Sequence, residues 1–237
     1  MKKILILSCV LAYGWIVQAQ QTSEWNYPIL PGTEEWKTLG CKSERVKACQ
    51  IPESILHQID TKELIELCLS YPYVKDIYAF TDLSNGIEAL CLNFNGMREL
   101  ITRKDAFNEL KDLYQNELNK QSDLLNNNII KTSEKINYKV NVALIEAFIG
   151  YPNMNLSKGQ LKEALIALMN GYNKKNQLNI RYGQIEFESN FYARANIVYK
   201  LSSPFTKDSI KQLLNSKKSP SIIERFNSIC TNIIQEL

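Results

Sequence analysis

The stretch IELCLSYP at Ile65–Pro72 recurs eighty residues later as IEAFIGYP at Ile145–Pro152. In each copy, apolar residues at three- and four-residue steps form one helix face, and the proline then prevents the helix from continuing. The tyrosine before each proline is pushed toward extended geometry. We expect its ring to cover the helix end, its hydroxyl to reach water or a free carbonyl, and Glu66 and Glu146 to face water. Both copies therefore predict a core helix with the same stop signal, and neither predicts a site.

Helical patterns also fill most of the chain on either side of this motif. Asp60 followed by Glu63, and Ser157 followed by Gln160, are typical of capping boxes at helix starts. Apolar stripes at helical spacing mark further helices. We therefore predict an all-α fold of about eight to ten helices, packed as successive antiparallel pairs in an irregular array. A HEAT-like array is the alternative, because eighty residues equal two periods of roughly 40.

Residues 179–201 allow two interpretations. From Ile185 to Leu201 almost every odd position is apolar or small, which is typical of a strand hairpin turning near Ser189 and Asn190. The spacing of Phe191, Ala195 and Val198 also suits a helix. We favour an extended approach followed by a helix from about Asn190, with a small β-hairpin as the alternative.

The first nineteen residues have the pattern of a secretory signal peptide. Lys2 and Lys3 precede an apolar run from Ile4 to Val17, and a plausible cleavage site follows Ala19. No later segment approaches the roughly 20 apolar residues of a membrane span. We therefore predict export to the periplasm or the extracellular space, with no transmembrane segment in the mature chain. A lipid-anchored envelope location at Cys9 is the less favoured alternative.

The sequence predicts three regions. They are a signal peptide at 1–19, an extended arm rich in aromatic residues and proline with a short helix at 20–42, and a single helical domain at 43–237. Two lobes at 43–127 and 128–237 are the alternative to a single domain. A chain of this length can bury one good core.

Charge argues against nucleic-acid binding. Removing the leader lowers the formal charge from +3 to +1, because 26 basic and 25 acidic residues remain. Residues 20–150 carry 14 Lys/Arg against 19 Asp/Glu, and residues 151–237 carry 12 against 6. This asymmetry predicts halves that attract each other within one fold, with a basic partner-binding face as the alternative.

The cysteines predict buried thiols and one disulfide. Cys68, Cys91 and Cys230 lie on apolar helix stripes and are expected to be small buried hydrophobes. Cys41 and Cys49 are the pair that we expect to form a disulfide. No Cys/His spacing indicates a metal site, and nothing in the sequence calls for a cofactor.

Catalytic patterns are few. His57, the single histidine, has no nucleophile beside it at a recognisable turn, and the chain contains no GxSxG motif. Carboxylates are plentiful, but no acidic pair differs from ordinary helix-surface charge. The sequence therefore favours a protein that is not an enzyme.

Two groups of residues are candidate binding sites. Trp25, Tyr27 and Trp36 lie on the arm, where we expect the tryptophans to pin the arm against the body; a carbohydrate-stacking platform is the alternative. The second group lies on the surface of the basic half and consists of Lys174, Lys175, Arg181 and Arg194.

Three segments carry a resemblance to a known group of proteins. They are WNYPILPGTEEW, ACQIPESILHQIDTKELIELCLSYP and LCLNFNGMRELITRKDA, and they resemble the opening helical region of exported bacterial proteins to which no function is assigned. The resemblance covers about residues 25–110. It implies export, a helical fold and a bacterial origin, and it implies no active site.

The leading functional hypothesis is an exported helical binding or interaction module for an unknown protein or glycan. One alternative is a hydrolase that acts on envelope or extracellular glycan or peptide through carboxylates. The other is a structural component of the envelope.

Overall fold

The computed structural model describes residues 25–126, 132–177, 184–202, 207–208, 210–212 and 220–236, and these parts of the chain are all-α, with no strand among them. Residues 207–208 and 210–212 are helical as well. The helices with defined bounds are eleven α-helices and one 3₁₀ helix, slightly more than expected, because several are only four to seven residues long. In chain order they are α1 Glu34–Thr38, α2 Lys42–Ala48, α3 Glu53–Leu56, α4 Thr61–Ser70, the 3₁₀ helix Val74–Ala79, α5 Leu83–Asn93, α6 Asn95–Leu100, α7 Ala106–Asn126, α8 Thr132–Ile149, α9 Lys158–Gln177, α10 Gln184–Leu201 and α11 Pro220–Glu236.

Local signals set the starts of α4 and α9. The Asp60 carboxylate accepts a hydrogen bond from the Glu63 amide at 2.7 Å. Ser157 and Gln160 exchange hydrogen bonds between backbone amide and side chain, at 3.0 and 3.2 Å. Each contact satisfies amides that have no partner inside the helix, so the expected caps of both helices are confirmed.

The two copies of the stop motif end their helices alike but have different surroundings. Tyr71 follows α4 with φ −56° and ψ 128°, the extended geometry expected before a proline. Glu66 is exposed, as expected. Glu146 is 0 % exposed, so the expectation that it faces water is wrong. The reason is tertiary packing: α8 contacts α4, α7 and α10, and residues 142–150 are all buried.

Residues 184–201 form α10, so the hairpin interpretation and the expected helix start near Asn190 are both wrong. Residues 179–183 of the expected hairpin lie outside the described residues. Helix α10 packs against α8, α9 and α11, and residues 189–195 are all buried. A helix that is buried on most sides has no polar face, so its sequence lacks the pattern that normally identifies an amphipathic helix.

The helices do not pair only with their neighbours in sequence. Helix α8 packs against α7 and α10, α7 also packs against α9, and α11 contacts α9 and α10. At the crossing of α8 and α10, a Cβ atom on Gly150 would overlap the backbone and side chain of Ala193. The glycine therefore allows these two helices to touch. One connected cluster of buried apolar side chains extends from Tyr27 to Cys230.

The five cysteines among the described residues are free thiols, and the expected disulfide between Cys41 and Cys49 is wrong. These two residues flank α2, one at each end. Eight residues along a helix span about 12 Å, whereas the Cα atoms of a disulfide lie about 4.4–6.8 Å apart. Cys68, Cys91 and Cys230 are buried, as expected.

Candidate ligand-binding groove and buried polar cluster

A half-open groove lies between α2, the segment around the 3₁₀ helix, and α5. Its volume is about 410 Å³, within the roughly 300–1,000 Å³ range of small-molecule sites. Most of the surface that it presents is apolar. The residues that line it are Lys42, Ser43, Val46, Tyr71, Tyr73, Asp76, Ile77, Phe80, Gly86, Ala89, Leu90 and Asn93.

Gly86 brings α5 close to the 3₁₀ helix at the base of the groove. A Cβ atom at this position would lie 2.5 Å from the carbonyl oxygen of Ile77. Only glycine permits this approach without a shift of the backbone. Ile77 and Leu90 are both buried and belong to the apolar base of the groove.

An ion pair joins α2 to the 3₁₀ helix across the groove. The Lys42 ammonium lies 2.6 Å from the Asp76 carboxylate and 5.0 Å from the centre of the Tyr73 ring. The Lys42 and Asp76 side chains are 65 % and 48 % exposed. Solvent therefore screens the pair, which contributes little to stability. Lys42 and Asp76 thus serve as each other's charge partner.

Tyr71 is the most unusual residue of the groove. Its ring stacks on Phe94 with the ring centres 4.2 Å apart, and the residue is 2 % exposed. Its hydroxyl is buried and has no hydrogen-bond partner among the described residues. Burial, followed by the neighbouring Cys49, Tyr73 and Asp76, raises the pKa of the Tyr71 hydroxyl, which therefore stays protonated. Tyr71 thus lines the groove and carries a buried hydroxyl without a partner in the described part of the chain.

A second polar feature, which we call the buried polar cluster, surrounds Glu146 on α8. Its members are Tyr114, Glu146, Lys175, Asn190 and Arg194. The Glu146 Oε1 atom accepts hydrogen bonds from the Tyr114 hydroxyl at 2.5 Å, the Lys175 ammonium at 2.6 Å and the Asn190 amide at 2.8 Å. These three donors come from α7, α9 and α10, so one carboxylate connects four helices.

Arg194 extends the buried polar cluster to α11. Its guanidinium donates to Asn227 Oδ1 at 2.6 Å and lies over the rings of Tyr172 and Phe226, at 4.6 and 5.2 Å from their centres. Burial lowers the pKa of Arg194, and the nearby groups, including Glu146, oppose that effect. The aromatic rings and the amide oxygen stabilise a cation that water does not reach.

The buried polar cluster is closed to solvent. Its five residues are at most 2 % exposed. Three of its buried atoms, Glu146 Oε2, Asn190 Oδ1 and Arg194 Nε, make no hydrogen bond within the described part of the chain. A molecule from solvent could reach this cluster only if the helices separated. Its position indicates that it fixes the arrangement of α7 to α11.

The aromatic residues of the arm are packing residues. The Tyr27 hydroxyl donates to the Leu67 carbonyl at 2.8 Å, and Trp25 packs edge-on against the Tyr27 ring at 5.0 Å. Trp36 packs against Tyr73 with the ring centres 5.8 Å apart, so it supports a residue that lines the groove. These contacts pin the arm against the body. A carbohydrate-binding role for Trp25 and Trp36 stays a prediction.

The basic residues that were predicted to form one surface group do not all lie on the surface. Lys175 and Arg194 are buried in the polar cluster, so their expected place on the surface is wrong. Lys174 is partly exposed and donates to Asn119 Oδ1 at 2.9 Å. Arg181 lies outside the described residues. The two buried cations look like surface residues in the sequence because their partners lie 25 to 33 residues away, on other helices.

The sequence alone missed Tyr71, Tyr73 and Phe80 as residues of the groove. One signal was present: YPYVKDIYAF, residues 71–80, contains four aromatic residues within ten. Such a density is unusual for a connecting segment. The sequence of this segment does not reveal that α2 and α5 form the other walls of the groove.

Two more open and more polar grooves, of about 660 and 690 Å³, lie beside Pro72 and Trp25. No group of three or more metal-ligating side chains occurs among the described residues. His57 is exposed and lies 3.4 Å from Glu53 on the same short segment. In the same parts of the chain, no helix has the length and hydrophobicity needed to cross a bilayer.

Comparisons of the chain with protein-family models, with curated proteins and with solved structures find no match.

Proposed function

We propose that this protein is an exported binding module whose ligand lies in the groove between α2 and α5. The observation that carries the proposal is a preformed, largely apolar groove of about 410 Å³ that contains an unpaired buried hydroxyl. Small-molecule sites typically combine apolar walls with a few polar groups that fix the orientation of the ligand. The groove has this composition.

Binding accounts for the groove better than chemistry does. Asp76 is the only carboxylate among the residues that line it, and it is paired with Lys42. Hydrolysis of a glycosidic bond generally requires two carboxylates on either side of that bond. His57 is not part of the lining. The lining therefore favours a ligand that is held without being transformed.

Internal contacts hold the walls in place. Gln50 donates to the carbonyls of Val46 and Asn93 at 2.7 and 2.9 Å, which connects α2 to the end of α5. The ion pair between Lys42 and Asp76 connects α2 to the 3₁₀ helix. A site that is already ordered loses less conformational entropy when its ligand binds.

Filling the groove tests the proposal. Ala89 lines the groove, so Ala89→Trp should occupy much of it, whereas Asn85→Trp places the same side chain at an exposed position of α5 outside the lining. A panel of uncharged small molecules is measured by saturation-transfer NMR against each protein. We expect signals with the unmodified protein and with Asn85→Trp, and their loss with Ala89→Trp. Signals that persist in Ala89→Trp, or that no compound gives, would contradict the proposal.

Export is a separate part of the proposal and is supported by the N-terminal sequence pattern. We expect the protein recovered from the periplasm or medium of a bacterial host to begin at Gln20. Intact-mass measurement checks this. A mass that retains the leader, in protein found only in the cytoplasm, would contradict export and leave the groove proposal unaffected.

A further inference from the structure

We infer that the ligand is an uncharged amphipathic molecule with an apolar body and an oxygen acceptor, and that this acceptor receives a hydrogen bond from the Tyr71 hydroxyl. This inference rests on the proposed function of the groove. It adds the chemical class of the ligand and the residue that selects it.

The Tyr71 hydroxyl calls for an acceptor. Buried polar groups in proteins are nearly always hydrogen-bonded, and leaving one unpaired is unfavourable. Tyr71 is 98 % buried, lines the groove, and has no partner for its hydroxyl among the described residues. Other buried tyrosines of this protein are paired: Tyr27 donates to a carbonyl and Tyr114 to a carboxylate. Tyr71 lines two grooves, and its ring packs 5.9 Å from that of Tyr73, which lines the groove between α2 and α5 and not the other. We therefore infer that the partner of the hydroxyl is a ligand atom in the groove between α2 and α5.

The surrounding charges select an uncharged acceptor. Lys42 and Asp76 are the charged residues of the lining, and they lie 2.6 Å apart, so each neutralises the other. A charged ligand would therefore find no free counter-charge in the groove. A ketone, ester, amide or ether oxygen fits where a carboxylate or phosphate does not.

The walls select an apolar body. Val46, Ile77 and Leu90 present aliphatic side chains to the groove, and Phe80 at its edge is 44 % exposed. A ligand that covers exposed apolar surface of this kind removes it from water, which favours binding. The polar side chains are already engaged: Asn93 donates to Ala89, and Ser43 bonds with Cys41. A strongly polar ligand such as a free sugar would find few partners here.

The dye PRODAN is a suitable probe, because it is an uncharged naphthalene ketone whose emission moves to the blue when its carbonyl loses a hydrogen bond. We expect the unmodified protein to bind PRODAN. Tyr71→Phe keeps the ring but removes the hydroxyl, so we expect about 2- to 10-fold weaker binding. The emission of the bound dye should also shift to the blue in this variant. Tyr172→Phe, on α9 and outside the groove lining, is the matched control and should change neither property.

The outcomes separate the two proposals. If the dye does not bind, or if Ala89→Trp does not weaken its binding, both the groove function and this inference are overturned. If Ala89→Trp abolishes binding while Tyr71→Phe changes neither affinity nor emission, the inference alone fails. A second comparison uses only the unmodified protein: the same naphthalene with a propyl group in place of the propionyl group should bind more weakly. Equal binding of the two dyes would also overturn the inference.

Discussion

The Tyr114 hydroxyl occupies the space that a side chain at position 171 would need, and from there it donates to Glu146 at 2.5 Å. Gly171 on α9 therefore allows a tyrosine of α7 to reach a carboxylate of α8. The contact links the packing of three helices to a single hydrogen bond. It also explains why a glycine is found in the middle of a long helix, where glycine is normally unfavourable.

We predict that Gly171→Ala destabilises the protein by about 2–4 kcal/mol, although alanine is the better helix former. The added methyl group displaces Tyr114 and breaks its bond with the buried carboxylate. Gly159→Ala is the matched control on the same helix, because its Cβ would lie 4.0 Å from the nearest atom, Ser157 Oγ. It should be neutral or stabilising by up to about 1 kcal/mol. Urea denaturation measures both variants, and equal effects would contradict the role of Gly171.

The stop motif provides a second matched pair. Glu66 and Glu146 occupy the same position in its two copies, but only Glu146 is buried and bonded to Lys175. We predict that Glu146→Gln costs about 3–5 kcal/mol, because it removes the buried negative charge to which Tyr114, Lys175 and Asn190 all donate. Glu66→Gln should change stability by less than about 0.5 kcal/mol. A loss of less than about 1 kcal/mol in Glu146→Gln would mean that the buried polar cluster does not depend on the charge of Glu146.

The same pair of glutamates separates what sequence can predict from what it cannot. The start and the C-terminal end of α4 and the start of α9 were predictable, because a capping residue or a proline acts on residues close to it in sequence. The burial of Glu146 was not, because its three donors lie on helices 29 to 44 residues away. The groove was hidden for a similar reason, since α2 and α5 meet only in the folded chain. A helix was favoured for α10, but its start was placed near Asn190 instead of Gln184, because a helix buried on most sides shows no clear period.

We predict that removal of the Tyr71 hydroxyl and removal of the Tyr27 hydroxyl change the stability of the protein in opposite directions. The Tyr71 hydroxyl is unpaired, so Tyr71→Phe should stabilise the ligand-free protein by about 1 kcal/mol. The Tyr27 hydroxyl donates to Leu67 at 2.8 Å, so Tyr27→Phe should destabilise it by about 1–2 kcal/mol. Chemical denaturation without ligand measures both. Destabilisation by Tyr71→Phe would show that its hydroxyl has a partner in solution.

Cys41 is predicted to be the most reactive of the five described cysteines. It is exposed, and a hydrogen bond from the Ser43 hydroxyl, followed by one from the Glu44 backbone, lowers its pKa. Burial raises the pKa of Cys49, Cys68, Cys91 and Cys230. Because the thiolate is the nucleophile, iodoacetamide should modify Cys41 first at neutral to mildly alkaline pH.

The pH dependence of the alkylation tests whether the hydrogen bond with Ser43 lowers the pKa of Cys41. A lowered pKa keeps the Cys41 thiolate populated as the pH falls, so its half-maximal rate should lie at a lower pH than that of a free cysteine alkylated in parallel. Ser43→Ala removes the largest cause, and we expect it to move the half-maximal rate to higher pH. Ser54→Ala, which is distant from Cys41 in sequence and exposed, is the control. Mass spectrometry of the digested chain locates the modified thiol. Equal labelling of all five cysteines, or a profile that Ser43→Ala leaves unchanged, would contradict the prediction.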